Sequence, residues 1–442
     1  LQKIYRLGTN LSLIYQALKA SDMNTWLKEA QAIYSKKGSL DEKNIRIFKN
    51  QPALSAQRLE AKKQGFITKI FVMDKMLKAL QENFDSQLAQ AKDSKKIANL
   101  QFSIAMNNMT VEALAPIIES LQKTNGVSTG HDTLDMLFGF KPSQGDDIME
   151  LEPNQFHDGR FPYEKKSDWD IKGDKAQQFA VELALNETPF LAIDGPPGTG
   201  KTTVIAEIVR QYIGFGKKVL IVSQMNTAVD NVIDEFAKDK DEVALPILRL
   251  GKKNEKFVGS MTKEEVRKKF WAEDPDAVAR FKERSSKGCA ILATNTGVKA
   301  NQSALRGLGI SKFDVVIMDE SSREDLSGAL VPLQFLKQGG KVIFVGDVKQ
   351  LPPFGKTIED QNMLQQKGFS KEETGFFNQS ILELLFDGND LLGDRIMLST
   401  NYRSVPLIAE FVSILSYEGT LYARGWEDFS KERLNFYVSD IM

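Results

Sequence analysis

Residues 195–202 read Gly195-Pro196-Pro197-Gly198-Thr199-Gly200-Lys201-Thr202, the spacing of a loop that cradles phosphates. Its glycines let backbone N–H groups curl around phosphate oxygens where a side chain would collide. Lys201 is placed to reach the β and γ phosphates of a bound nucleotide, and Thr202 to ligate Mg²⁺, with Thr203 following in the same turn. An apolar run ending near Ile193 precedes the loop, and a helix-prone stretch from Thr202 to Tyr212 follows it. That order, strand then glycine loop then helix N-terminus, favours an anion and argues against a glycine-rich turn that fits the pattern by chance. The chemistry implied is binding of Mg-ATP.

A second apolar run, Phe313 to Met318, ends in Asp319-Glu320. A carboxylate at the tip of a buried strand can hold the Mg²⁺ complex, and the adjacent Glu320 can orient and deprotonate an attacking water. Two solvated acids at a strand end are the plain alternative, and the preceding phosphate loop weighs against it. A third run, Lys341 to Val345, ends in Gly346-Asp347-Val348-Lys349-Gln350-Leu351-Pro352-Pro353. The amide of Gln350 could sense a γ-phosphate there, and the rigid Leu-Pro-Pro turn could pass the signal onward.

With these residues the sequence resembles superfamily 1 (1B) helicases of the up-frameshift and senataxin type, whose third motif reads G-D-x-x-Q-L-P-P. Gln177 with Ala180 and Val181 is similar to the family's Q-x-x-A-V pattern, which implies adenine recognition. The run Ser223-Gln224-Met225-Asn226-Thr227-Ala228-Val229-Asp230 resembles the family's segment that contacts a single strand, and Ala293-Thr294 resembles a second such contact. Leu398-Ser399-Thr400-Asn401-Tyr402-Arg403 resembles the fourth motif, and the pattern continues to Leu421. The resemblance implies that Arg403 is an arginine finger on the γ-phosphate and that Tyr402 stacks on adenine. It also implies a RecA-like fold, and ATP hydrolysis that drives 5′-to-3′ movement along single-stranded DNA or RNA, inside the cell in cytoplasm or nucleus. The second motif departs from the family: Asp319-Glu320 continues Ser321-Ser322-Arg323 rather than ending in glutamine. Arg323 adds a cation there, which bears on the coupling of hydrolysis to strand grip. An ATP-gated binding module without unwinding, regulatory or defensive, is the alternative. A small-molecule kinase would need neither the Gln350 turn nor Arg403.

Asn226, Thr227 and Thr294 would meet the sugar-phosphate backbone, a contact that carries no base identity. Thr227 and Asp230 read equally as helix caps, and the two roles are compatible. Basic clusters at Lys252-Lys253, Arg267-Lys268-Lys269 and Lys282-Arg284 are interleaved with acids, which favours a solvated face over a nucleic-acid patch. His131 and His157 lack metal-ligand spacing, and Cys289 heads an apolar run as a small core residue.

The elements that must position these residues follow from patterning. From Gln177 onward, short apolar runs at Phe190–Ile193, Val219–Val222, Pro246–Leu250, Ala290–Ala293, Val315–Met318 and Val342–Val345 alternate with amphipathic stretches. This predicts an α/β domain over 174–442 with a buried parallel sheet and helices on both faces. A charged helical insertion is expected at about 252–288, and the start of a second RecA-like domain at about 400–442. Residues 1–126 read as a mainly α-helical region whose partner the sequence does not name. Phe66, Ile70, Met73, Leu77 and Leu80 fall at helical spacing in a long helix or hairpin, and a further helix is expected from an N-cap at Thr110 to Gly126. Pro116 inside it either kinks it or marks its start. Residues 127–173, rich in Gly, Pro, Asp and Ser, read as an irregular connection.

The chain has 442 residues, net charge −1 and one cysteine. It holds no run approaching a membrane span, and it reads as a chain without a signal peptide or a disulfide framework. Any polyanion must meet a local basic surface rather than global attraction. The chain reads as a fragment that lacks most of a second motor domain and is therefore expected to translocate poorly alone.

Overall fold

The computed structural model describes residues 47–48, 56–141, 175–186, 188–237, 245–251, 269–353, 355–386, 394–417 and 419–423. The strands in chain order are β1 (Ile47–Phe48), β2 (Phe190–Asp194), β3 (Lys218–Ser223), β4 (Ile247–Arg249), β5 (Cys289–Thr294), β6 (Phe313–Asp319), β7 (Leu336–Gly346), β8 (Asp394–Met397), β9 (Thr400–Asn401) and β10 (Tyr422–Ala423). The first eight form one sheet in the order β1-β8-β2-β7-β6-β3-β5-β4. Its pairs are parallel except β1 with β8. β9 and β10 pair separately, in parallel.

Parallel neighbours cannot be joined by a tight turn, so helices carry the chain back across the faces. They are α1 (Ala56–Gln90), α2 (Ser94–Lys123), α3 (Asp132–Leu137), α4 (Lys175–Leu185), α5 (Lys201–Gly214), α6 (Asn226–Phe236), α7 (Pro275–Arg284), α8 (Asn295–Ala300), α9 (Gln302–Gly307), α10 (Leu326–Leu333), α11 (Ile358–Gln366), α12 (Lys371–Thr374), α13 (Ile381–Phe386) and α14 (Pro406–Ser416). The six apolar runs all become strands, and successive residues in them turn to opposite faces. Leu191, Ile193, Val219, Ile221, Ile317 and Ile343 bury against α4, α5 and α6. Ala192, Leu220, Val222, Val316 and Phe344 bury in a second core that also takes in α1, α2, α3 and α10.

That second core joins the N-terminal helices to the sheet. Phe66, Ile70, Met73, Leu77 and Leu80 are buried, as their spacing predicts. α1 and α2 form a hairpin, with Asp93 capping α2 through Lys96 N (2.7 Å) and Asn107 donating to Leu77 O (2.9 Å). Polar ties fix the hairpin to the rest: Lys69 Nζ donates to Gln379 Oε1 (2.7 Å), and Lys299 pairs with Glu112 (3.1 Å).

Three expectations change. Thr110 caps nothing; it is buried inside the continuous α2 and its hydroxyl donates back to Met106 O (3.2 Å). Pro116 lies within that helix, which stops at Lys123. The stretch expected to be irregular contains α3, held by Asp135 accepting from Ser128 Oγ and Thr129 N (both 2.6 Å) and by Thr133 Oγ1 donating to Gly340 O (2.7 Å); residues 142–173, with His157, lie outside the described residues. The short strand β1 stands in the region read as helical. Of the expected insertion, residues 269–288 are described. There α7 buries Ala277 and Phe281 while Lys282 and Arg284 face solvent, which fits a solvated basic face. Cys289 is a core residue whose thiol burial pushes up to about 11. No helix among the described residues is long and apolar enough to cross a membrane.

One buried lysine latches α4 to the sheet. Lys341 on β7 donates from Nζ to Leu183 O (2.8 Å), Asn186 O (3.1 Å) and Asn186 Oδ1 (2.9 Å) at the end of α4. Burial pulls its ammonium down to about 7, with Asp394 opposing. Lys341→Met would strip those carbonyls of their donor and is expected to lower stability by about 1–3 kcal/mol in denaturant unfolding. An unchanged midpoint would show that the latch carries no stability.

Candidate nucleotide site and strand-facing loops

Register decides where the loops meet. Asp194 at the end of β2 pairs with Gly346 of β7 and Met397 of β8. Ser223 at the end of β3 pairs with Thr294 of β5 and Asp319 of β6. The C-terminal ends of these strands therefore form one edge, and every loop singled out from sequence leaves from it. Gly195 N donates to Gly346 O (2.8 Å), which ties the start of the glycine loop to the turn that carries Gln350.

The glycine loop runs from β2 into α5, with its glycines used as conformation demands. Gly198 and Gly200 have φ of 79° and 78°, the left-handed region that side chains resist. A Cβ on Gly198 would also lie 2.7 Å from Arg403 Cβ. Thr199 Oγ1 closes the loop on Pro196 O (2.8 Å), and Lys201 Nζ donates to Gly195 O (2.7 Å). Thr202 is half-buried at the first turn of α5. Thr203, expected at the nucleotide, directs its hydroxyl to Glu235 Oε1 on α6 (3.2 Å). Gln177, expected at adenine, is buried and donates from Nε2 to Thr199 O (2.8 Å), which ties its amide to the glycine loop.

Asp319 is buried at the tip of β6. Burial, reinforced by Glu320, pushes its carboxyl up to about 7, and the Lys201 charge works the other way. Glu320 stands at φ 55°, an uncommon conformation for a residue with a Cβ, and its N–H donates to Asp319 Oδ1 (2.9 Å). Two oxygen donors, the Thr202 hydroxyl and the Asp319 carboxylate, suit a hard cation that shares its coordination with phosphate oxygens. Gln350 is half-buried in the turn after β7, where its N–H donates to Asp347 O (3.0 Å).

The segment after β8 docks on the glycine loop through Asn401. Its Nδ2 donates to Pro197 O (2.8 Å), while its Oδ1 accepts from Arg403 N (2.9 Å) and Ser404 N (2.7 Å). Tyr402 N donates to Gly198 O (2.8 Å). Arg403 is thus an exposed guanidinium rooted directly beside the loop.

A family model described as an AAA domain matches residues 172–290 and 287–357. The chain is 27% identical to the DNA-binding protein SMUBP-2 of Mesocricetus auratus, over 72% of this chain and 33% of that protein. It is 32% identical to the DNA replication ATP-dependent helicase/nuclease DNA2 of Saccharomyces cerevisiae, over 41% of this chain and 11% of that one. It is also 29% identical to the DNA2 of Gallus gallus, over 57% and 23%. The family model covers the stretch that holds the glycine loop, Asp319, Glu320 and Gln350, and the chain is similar there to superfamily 1 helicases of the up-frameshift and senataxin type. It spans about a third of the length of the SMUBP-2 relative.

The loops that the helicase family resemblance assigns to a strand leave from the same edge. Asn226 and Thr227 open α6, both exposed, after an N-cap position, Met225, that makes no side-chain cap bond. Asp230 does not cap either: it is buried one turn in and pairs with Arg249 (3.0 Å). Thr294 caps α8 by accepting from Gly297 N (3.1 Å). Two contacts join these loops to the one carrying Glu320. Arg323 Nη1 lies 3.9 Å from Met225 Sδ, and the Asn295 amide donates to the buried carboxyl of Glu324, which burial pushes well above the usual carboxylate range.

Sequence patterning missed the supporting polar residues. Asp194 pairs with Arg395 of β8 (2.6 Å), and Asp347 accepts from Tyr417 Oη (2.6 Å). Burial raises Asp194, and burial together with Asp347 raises Tyr417. Asn401 was legible only as the neighbour of Tyr402 and Arg403. Asn401→Ala removes one hydrogen bond to the glycine loop and two that hold the turn of Arg403 and Ser404. It is expected to speed amide exchange at Gly198–Gly200 and Arg403–Ser404 by at least about tenfold, the equivalent of one net bond. Unchanged exchange there would show that Asn401 does not hold the two segments together.

Proposed function

We propose that this chain is the first motor domain of an ATP-dependent helicase or translocase acting on single-stranded DNA or RNA, moving 5′ to 3′. The observation that carries the reading is the docking of Arg403 beside the glycine loop through Asn401 and Tyr402. A protein that only bound nucleotide would have no use for a guanidinium there. ATP would lie with its triphosphate against Gly195–Thr202, gripped by Lys201. Thr202 and Asp319 would hold Mg²⁺, which when bound neutralises charge on the phosphate oxygens. Glu320 would orient the attacking water and take its proton. Arg403 would stabilise the charge on the γ-phosphate in the transition state, and Gln350 would report whether that phosphate is present. Tyr402 would flank the adenine.

Nucleic-acid contacts fall to Asn226, Thr227 and Thr294, through short polar groups that suit a backbone rather than bases. Hydrolysis would reach them through Arg323 and Glu324, which sit in the same turn as Glu320 and touch the two strand-facing loops. The boundaries proposed for this unit are 174–442, with the second RecA-like domain beginning at about 400. The relatives' printed names, a DNA-binding protein and a DNA replication helicase/nuclease, agree with a nucleic-acid substrate.

Steady-state ATP hydrolysis with and without single-stranded oligonucleotides tests the reading. Turnover should rise when either DNA or RNA is added; turnover indifferent to both would overturn it. Glu320→Gln should keep nucleotide binding and abolish hydrolysis. Arg403→Ala should lower turnover by about 10³-fold or more with a smaller effect on affinity, because it acts on the transition state. Normal turnover in Arg403→Ala would remove the finger assignment.

A further inference from the structure

Among the described residues Arg249 is the largest side chain buried to completion, at 0% exposure, on the edge strand β4. Sequence gave it no role beyond the tail of an apolar run. All three of its nitrogens are used. Nε donates to Asp230 Oδ1 (3.0 Å), Nη1 to Leu250 O, and Nη2 to Asn226 Oδ1 (2.7 Å). Trp271 covers the guanidinium face at 5.2 Å. A buried cation needs this degree of pairing, and Asp230 supplies the countercharge.

The consequence falls on Asn226. A guanidinium has donors and no acceptor, so only the oxygen of the Asn226 amide can face it. The amino group must then point the other way, and it meets no acceptor among the described residues. Asn226 is itself exposed at the first position of α6, where the unbonded N–H groups of a helix start add further donors. We infer that Arg249 is a positioning residue that locks Asn226 as a donor-only contact, matched to the phosphate oxygens of a nucleic-acid backbone. This inference rests on the strand-binding reading above and specifies its chemistry: the contact takes acceptors and rejects donors.

Asn226→Asp separates this from a merely structural bond. The aspartate keeps an oxygen toward Arg249, now with charge assistance, and suits a helix N-terminus. It replaces the outward donor by an acceptor. Thermal unfolding and binding of fluorescein-labelled single-stranded DNA and RNA would be read on the same preparations, with Gln224→Asp, an exposed site two residues away, as the control for added negative charge. The expected result is a melting temperature equal to or above that of the parent, with strand affinity lowered by at least about tenfold, the loss of one charge-assisted bond. Gln224→Asp should cost clearly less. Arg249→Lys should also weaken the strand, and its effect should not add to that of Asn226→Asp.

A lower melting temperature for Asn226→Asp would overturn the assigned hydrogen bond. Affinity no worse than that of Gln224→Asp, with the parent binding normally, would overturn the donor-only contact alone and leave the motor reading standing. Failure of the parent to bind either strand would defeat both.

Discussion

Parallel pairing imposes the constraint on which the rest depends. Because β2, β3, β5, β6, β7 and β8 run in one direction and in matched register, residues far apart in sequence end on one edge: Asp194, Ser223, Thr294, Asp319, Gly346 and Met397. No loop chemistry could place Lys201, Asp319, Gln350 and Arg403 near one another if a single strand were reversed or slipped by one residue. A slip would also turn every apolar side chain of that strand to the wrong face. The pressure that buries Leu191 and Ile193 on one side and Ala192 on the other is thus the same pressure that sets the site.

The apolar and glycine components were legible in the sequence, and the polar framework was not. Each predicted strand from Phe190 to Val345 forms because short apolar runs have one way to bury both faces. The strand Asp394–Met397 was missed because its run, Asp-Arg-Ile-Met, is half charged; those charges are spent internally, on Asn186 and Asp194. Thr110 and Asp230 looked like caps by residue type, yet tertiary burial put one inside a continuous helix and the other beneath a guanidinium. Residue type reports local preference, and local preference yields wherever a core partner is available. Thr203 and Gln177 carry protein contacts that their motifs did not announce, a hydroxyl on Glu235 and an amide on Thr199 O.

The polar framework has a direction. Lys341 anchors α4, and Gln177 on α4 braces the glycine loop. Asn401 fastens the segment that carries Arg403 to that loop. Arg323 and Glu324 extend from the Glu320 turn toward Met225 and Asn295, at the starts of α6 and α8. Each of these bonds is buried or half-buried, where an unmade bond costs more than a made one gains, so their states are coupled rather than independent. On the proposed reading, that is the route by which a change at the terminal phosphate alters the grip on the strand.

The most direct measurement is a structure of this chain with Mg²⁺, ADP and a fluoride mimic of the γ-phosphate. The account predicts Lys201 Nζ, the Gln350 amide and the Arg403 guanidinium on that one mimic, each within hydrogen-bonding reach of about 2.7–3.2 Å, with Asp319 beside the metal. A nucleotide held elsewhere, or Gln350 and Arg403 turned to a different cavity, would contradict it.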